Sequence, residues 1–200
     1  MSTAEPQNAN APQTTRDTQP PQPPQDDDDN NNNNITITLL TDPSTIYPSA
    51  LTAWKSLFGA KTTTPHPDQP TFKTTYSAPN GRLLLASTPQ TPIAGIIAYR
   101  KYDGRFSQKF PELTFSNTDT SSVVEVVRLF VNPELRGQGI ATKLIRALVQ
   151  QAREDGVRTM YLHTHPFLPG AQYLWEKEGW RVVVKEEEEP WWTIHMRREL

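Results

Sequence analysis

The chain has 200 residues, a formal net charge of −2 and no cysteine. The lack of cysteine excludes disulfides, thiolate zinc sites and a covalent acyl-cysteine intermediate. No apolar run is long enough to cross a bilayer and no charged-then-apolar leader is present, so we expect a cytoplasmic or nuclear protein with no membrane partner.

The first segment, residues 1–34, is rich in Pro, Gln, Asn and Asp and holds no aromatic residue. Such a segment cannot bury enough apolar surface to offset the entropy of ordering, so we predict that it is disordered. Its charge is −5, which leaves +3 for a single domain over residues 35–200. This small net positive charge suits an anionic cofactor. It is too small for a nucleic-acid-binding surface, so we expect no nucleic-acid partner.

The domain begins with a strand and a helix. Residues 35–40 alternate between apolar and polar side chains, which predicts a strand. Apolar residues at helical spacing predict a helix over 49–58, and Gly59 ends it. Residues 60–80 contain four prolines and several threonines, which predicts a loop.

Two more strands are predicted at 82–87 and 93–102. A polar connection follows at 103–121, with phenylalanines interspersed. It is long for a hairpin, so we expect it to fold over a site.

The segment 123–141 is the most informative part of the sequence. Residues 123–131 are mostly apolar and β-branched, which predicts a buried strand that Pro133 stops. A loop with Gly137 and Gly139 then opens a helix whose apolar residues recur at helical spacing through 153. Free backbone N–H groups at such a helix start bind anions, and Arg136 adds a fixed positive charge.

The remaining sequence predicts one helix and three strands. Asp155 and Gly156 break the preceding helix. The helix is predicted at 171–178, and the strands are predicted at 157–164, 180–185 and 191–197.

Two segments resemble the GNAT superfamily of N-acetyltransferases. Arg136, Gly139 and Ala141 are similar to its Arg-x-x-Gly-x-Ala acyl-CoA loop. Thr164, Ala171, Leu174 and Gly179 are similar to a second family segment, in which Trp180 replaces the usual Phe. The resemblance implies an α/β (α+β) fold over 35–200, with a central, mixed, mostly antiparallel sheet, a splayed pair of central strands and flanking helices.

The resemblance also implies a set of cofactor contacts for acetyl-CoA. In the family, free backbone groups of the splayed central strand pair with pantetheine, and the loop cradles the pyrophosphate. Carried over here, the strand contacts come from Leu129, Phe130 and Val131. The loop contacts come from Arg136, Gly137, Gln138, Gly139, Ile140, Ala141 and Thr142.

Glu125 and Arg128 are candidate active-site residues on the central strand. Glu125 resembles the base glutamate of some family members, and a carboxylate in an apolar strand is unfavourable unless it is paired or functional. The alternative is a structural pair between Glu125 and Arg128 or Arg100. Arg128 is a candidate to bind a substrate carboxylate, with a structural salt bridge as its alternative.

The general acid is less clearly indicated. Trp175 stands where the family often has a Tyr, and an indole N–H cannot protonate a thiolate at neutral pH. We therefore assign Trp175 to pantetheine contact and Tyr173 to the acid role. His163 is assigned to substrate binding, where it can also carry a proton near neutral pH. We expect no metal, because the His-x-His pair at 163 and 165 lacks accompanying ligands.

These assignments predict an acetyl-CoA-dependent N-acetyltransferase that acts by direct transfer. The leading acceptor is the primary amine of a small molecule or amino acid. Two alternatives stay open: an acetyltransferase of protein N-termini or lysines, and a catalytically weak CoA-binding module. The oligomeric state is not indicated by the sequence.

Overall fold

The computed structural model describes residues 34–48, 52, 71–115, 122–188 and 192–200. These residues lie in a compact unit that spans Asn32–Leu200. The tail predicted to be disordered, apart from Asn34, and the helix predicted at 49–58, apart from Thr52, lie outside the described residues.

The described residues include the strands β1 (Thr36–Leu39), β2 (Gly81–Ser87), β3 (Gly95–Lys101), β4 (Val123–Val131), β5 (Thr159–Thr164), β6 (Arg181–Lys185) and β7 (Ile194–Glu199). They form one mixed sheet in the order β1-β2-β3-β4-β5-β7-β6. Every neighbouring pair is antiparallel except β4 and β5, which are parallel. The predicted mixed, mostly antiparallel sheet is therefore confirmed.

The main helix packs against one face of this sheet. The described residues include the α-helices α1 (Phe72–Thr75), α2 (Ile140–Glu154) and α3 (Ala171–Lys177). Helix α2 buries a continuous apolar stripe that includes Leu144, Ile145 and Leu148 in the main core. The stripe consists of the apolar residues that recur at helical spacing in the sequence. Their burial supplies most of the stability of such a helix. Within the described residues, no helix is long and apolar enough to cross a membrane.

Helix α1 corrects the part of the predicted loop 60–80 that the structure describes, and residues 60–70 of that loop lie outside the described residues. Its threonines give little intrinsic helical preference, but Phe72 at its start is only 4% exposed. The Phe72 ring packs edge-on against Tyr47 and Tyr76, at 4.7 and 4.9 Å between ring centroids. Tertiary packing of these rings therefore sustains a helical turn that local sequence does not favour.

The central strands separate along their length. Strand β4 pairs with β5 only through Val123, Val124 and Glu125. On the other side β4 stays paired with β3 as far as Val131, with a register shift next to Arg128, whose φ is 61°. A bulge of this kind bends a strand and increases its twist, which turns the end of β4 away from β5. The predicted splay is therefore present.

Candidate active site

The splayed end of β4 presents a backbone edge beside β5. Leu129, Phe130 and Val131 form this end, and the last two pair with β3 through Ile96 and Gly95. Among the described residues, the β5 side of Leu129–Val131 has no strand partner, because pairing with β5 stops at Glu125. Extended backbone with an open edge offers N–H and C=O groups to a ligand. The three residues assigned to pantetheine thus lie together on the edge of β4 that β5 leaves unpaired.

A short structured loop leads from β4 to α2. The side chain of Asn132 accepts a hydrogen bond from the N–H of Glu134 at 3.1 Å, which starts the 3-10 turn Pro133–Leu135. Gly137 and Gly139 follow with φ values of 78° and 74°. Non-glycine residues rarely adopt this left-handed conformation, so the loop needs glycine at both positions.

The loop is open on the side where α2 begins. A Cβ added at Gly137 or Gly139 would meet no atom within 4 Å. Gly139 caps α2 without a side-chain hydrogen bond, and the first turn of the helix holds no acidic residue. The first N–H groups of α2 therefore lack a side-chain cap, and the helix dipole favours an anion there. The predicted loop residues accordingly meet at one anion-accepting helix end, with Arg136 exposed beside them.

Glu125 is the centre of a buried charge cluster. Its side chain is fully buried, and Arg100 Nε lies 3.0 Å from Oε2. Arg105 binds both carboxylate oxygens through its two terminal nitrogens. His163 Nδ1 lies 3.3 Å from Oε1.

The surroundings of Glu125 keep its carboxylate ionised. Burial by itself raises the pKa of Glu125, but His163, Arg105 and Arg100 together lower that pKa to about 2. The structural pair with Arg100, which the sequence left as an alternative, is present. A carboxylate with so low a pKa is a weak proton acceptor by itself near neutral pH.

Sequence reasoning missed Arg105 as a partner of Glu125. Arg105 lies in the connection between β3 and β4, where it also contacts Asp103 at 3.0 Å. A polar loop gives no periodic signal, so no pattern indicates which buried group its arginine will reach. The available clue was the unpaired carboxylate on an apolar strand, which requires a cation from elsewhere.

The connection 103–121 does cover part of the site, as far as the described residues extend. Phe106 packs against His163 and His195, at ring centroid distances of 5.6 and 4.9 Å. The Tyr161 hydroxyl lies 2.7 Å from His195 Nδ1 inside this aromatic cluster. Burial lowers the pKa of His195 to about 4, so its imidazole is neutral at pH 7.

His163 connects Glu125 to the open end of the splay. It lies on β5 beyond the last residue that pairs with β4, and 29% of its side chain is exposed. His163 therefore offers an imidazole that contacts Glu125 and can also be reached from solvent. Its assigned role in substrate binding stays a prediction.

Arg128 points to a different set of neighbours. Its Nε donates to the Tyr76 hydroxyl at 2.9 Å, and its guanidinium lies over the rings of Phe72 and Tyr76. The partners of Glu125 are Arg100, Arg105 and His163, so the proposed pair of Glu125 with Arg128 is not formed. Regular strand alternation already places residues 125 and 128 on opposite faces, and the register shift beside Arg128 does not bring their side chains together. Substrate binding by Arg128 stays a prediction.

The two residues assigned on α3 lie in contrasting environments. Trp175 is only 6% exposed and packs edge-on against Trp180 at 5.0 Å in the main core. Tyr173 is 71% exposed, so its hydroxyl is accessible to a solvent-borne ligand. Contact of Trp175 with pantetheine and the acid role of Tyr173 stay predictions. No group of three potential metal ligands occurs in the part of the chain that the structure describes.

Comparison with known proteins decides the family. Residues 49–180 match the Acetyltransferase (GNAT) family. The chain belongs to this family. The match includes the splayed strand, the glycine loop and α3, so the resemblance drawn from the two motifs is confirmed.

Individual relatives are similar over shorter segments. The "Uncharacterized N-acetyltransferase YjgM" of Escherichia coli is 38% identical over 63 residues, which are 32% of this chain and 38% of that protein. The chloroplastic "GCN5-related N-acetyltransferase 6" of Arabidopsis thaliana is 38% identical over 58 residues, 29% of this chain and 20% of its own length. The chain thus matches well under half the length of these curated relatives.

Solved structures share the fold. A GNAT-family acetyltransferase from Staphylococcus aureus aligns with a TM-score of 0.62 at 18% identity, covering 82% of this chain and 99% of that one. At this level of identity the similarity establishes the fold alone, which agrees with the predicted fold class.

Proposed function

We propose that the chain is an acetyl-CoA-dependent N-acetyltransferase that transfers the acetyl group directly to a primary amine of a small molecule or amino acid. The proposal rests mainly on the fact that the unpaired strand edge and the glycine loop follow one another along the chain. The open edge of Leu129–Val131 runs straight into the open glycine loop at the start of α2. Membership of the GNAT family supports the same activity.

The residues present fit acetyl-CoA at both ends of this path. The backbone of Leu129–Val131 would hold the pantetheine arm, and Arg136 with the N–H groups up to Thr142 would hold the pyrophosphate. The open space at Gly137 and Gly139 lets an anion approach the backbone closely. When bound, acetyl-CoA supplies an activated thioester whose carbonyl is open to attack by an amine.

Proton removal from the amine falls to Glu125 and His163 acting together. An ammonium must lose a proton before its nitrogen can attack. The imidazole of His163 accepts that proton, and the ionised carboxylate of Glu125, 3.3 Å from Nδ1, stabilises the imidazolium. Arg100 and Arg105 hold the carboxylate in place. Tyr173 is the proposed donor of a proton to the leaving thiolate.

The proposal is tested by following free thiol release from acetyl-CoA with a thiol-reactive dye. The panel contains amino acids, polyamines, arylamines and short peptides, and the Gly139→Glu variant serves as the negative control. Saturable turnover of a small amine supports the proposal and names the acceptor class. Turnover of peptides alone replaces the acceptor class with a protein. Tight CoA binding without any turnover favours the catalytically weak module.

A further inference from the structure

A second cationic site lies away from the splayed strands. A surface pocket of about 310 Å³ opens between the second half of α2, the end of α3 and β7. Arg153, in its wall, is 14 residues beyond Gly139, which corresponds to roughly 20 Å along the α2 axis. The lining residues are Arg146, Val149, Arg153, Lys177, Glu178, Gly179 and Arg198.

The pocket has an uncompensated positive charge. It contains four cationic side chains and one carboxylate, Glu178, which is buried and is bound by Arg146 Nε at 3.1 Å. Within the described ranges, no carboxylate oxygen lies within 4.0 Å of the charged nitrogens of Arg153, Lys177 or Arg198. Three cations therefore share one concavity without a counter-charge. Like charges at such proximity repel one another unless an anion joins them.

Arg198 is held in a fixed orientation at the pocket wall. Its guanidinium lies over the Trp180 ring at 5.1 Å, and one terminal nitrogen donates to the carbonyl of Glu178. Gly179 has a φ of 88°, and an added Cβ there would lie 3.4 Å from Arg198 Cζ. A guanidinium fixed by stacking and by one hydrogen bond keeps its other N–H groups available in a defined plane.

We propose that this pocket binds the phosphate group of a small phosphorylated ligand, at a site separate from the proposed acetyl-CoA site. A phosphate monoester carries nearly two negative charges and several acceptor oxygens, which match the three unpaired cations better than a single carboxylate does. Arginine forks are suited to this geometry. The pocket is large enough to take more of the ligand than its phosphate.

Inorganic phosphate is the probe for this site. Its binding to the full chain is measured by calorimetry at constant ionic strength, with chloride replaced by phosphate. Phosphate could also occupy the glycine loop, so the titration is repeated in Gly139→Glu.

The pocket variant combines Arg153→Glu and Lys177→Glu, because both side chains are exposed and neither is paired with a carboxylate. The control is Arg181→Glu. Arg181 is exposed and lies opposite Arg197 on the neighbouring strand, so its side chain is on the sheet face opposite to that of Arg198.

The expected result is saturable phosphate binding that survives Gly139→Glu and Arg181→Glu and weakens at least about tenfold in the pocket variant. CoA affinity should be unchanged in the pocket variant. Binding that disappears in Gly139→Glu, or that falls equally in Arg181→Glu, would overturn the proposal. Because phosphate binding and acetyl transfer are measured separately, either proposal can fail without the other.

Discussion

Single residues determine how the proposed active site handles charge. We expect Glu125 to contribute a negative charge rather than to accept the proton itself, because Arg100, Arg105 and His163 contact it and lower its pKa to about 2. The sequence indicated Glu125, since a carboxylate on an apolar strand requires partners. The sequence did not indicate which cations would pair with Glu125, because Arg105 lies in a loop without a periodic pattern.

Replacing His163 tests the proposed proton transfer. His163→Gln should lower turnover by about 10²-fold or more near neutral pH, the usual scale of general-base catalysis, and by less at alkaline pH, where free amine already exists. The matched control is His165→Gln, two residues along the chain and outside the contact with Glu125. A pH–rate profile that is unaltered by His163→Gln would remove this residue from the mechanism.

Glycine at the helix start provides a second residue-scale prediction. Gly139→Glu should abolish CoA binding, because its carboxylate would occupy and charge the anion-accepting end of α2. The matched control is Gly156→Glu, at the other end of α2, where φ is 76° and a Cβ also meets no atom within 4 Å.

Both variants force a non-glycine residue into the left-handed conformation, which costs about 1–2 kcal/mol in each case. Calorimetric titration with CoA should therefore separate them, with loss in Gly139→Glu and retention in Gly156→Glu. Equal CoA affinity in both variants would show that the loop does not hold the cofactor.

At the scale of elements, the junction of β3, β4 and α2 couples the core to the cofactor edge. Gly95 lies where these elements meet, and a Cβ added there would be 2.8 Å from the Phe130 carbonyl oxygen and 3.0 Å from Leu144 Cδ1. A backbone carbonyl cannot move without moving its strand. The close approach of β3 to β4 thus depends on the absence of a side chain.

Gly95→Ala should lower the free energy of unfolding by about 1–3 kcal/mol, the usual effect of overpacking. CoA affinity should also fall, because the displaced strand carries Phe130. Urea unfolding measures the first effect and calorimetry the second. Gly104→Ala is a control for backbone strain without a clash, because its φ is 73° and its Cβ would approach only Ser107 Oγ, at 3.8 Å. It should lower stability by about 1–2 kcal/mol and leave CoA affinity unchanged. If Gly95→Ala lowered CoA affinity no more than this control does, the junction would be more adaptable than its distances indicate.

The periodic elements were predictable and the irregular ones were not. Period-two and helical patterns identified β1 to β7 and α2 to within a few residues, because each buries a regular apolar stripe. Helix α1 was missed, since its stability comes from ring packing between Phe72, Tyr47 and Tyr76 rather than from local preference. The sequence also carries no sign of the left-handed φ of Arg128 and the register shift beside it, since a bulge leaves no apolar periodicity.

At the scale of the whole molecule, two buried titrating groups couple stability to pH. The pKa of Glu125 is lowered from 4.5 to about 2, and that of His195 is lowered from 6.5 to about 4. For each group the unfolded chain binds a proton at a higher pH than the native chain does. Stability is therefore fully present above the unfolded pKa and is lost as pH falls towards the folded pKa.

His195 should dominate the first stage of this acid destabilisation. Between pH 6.5 and 4 the unfolded state binds a proton at His195 while the native state does not, so the free energy of unfolding should fall by up to about 3 kcal/mol. Glu125 adds a further loss only between pH 4.5 and 2. Urea unfolding at pH 7, 6, 5 and 4 measures the first stage without reaching most of the second.

The His195→Phe variant separates this proton linkage from simple packing. It should be less stable than the wild type at pH 7, because it loses the bond to the Tyr161 hydroxyl inside the aromatic cluster. Its stability should nevertheless change less between pH 6.5 and 4, since the residue no longer titrates. His165→Gln should keep the wild-type slope. An undiminished slope in His195→Phe would mean that another group takes up the proton on unfolding, and that the Phe106–Tyr161–His195 cluster does not set the acid stability of the domain.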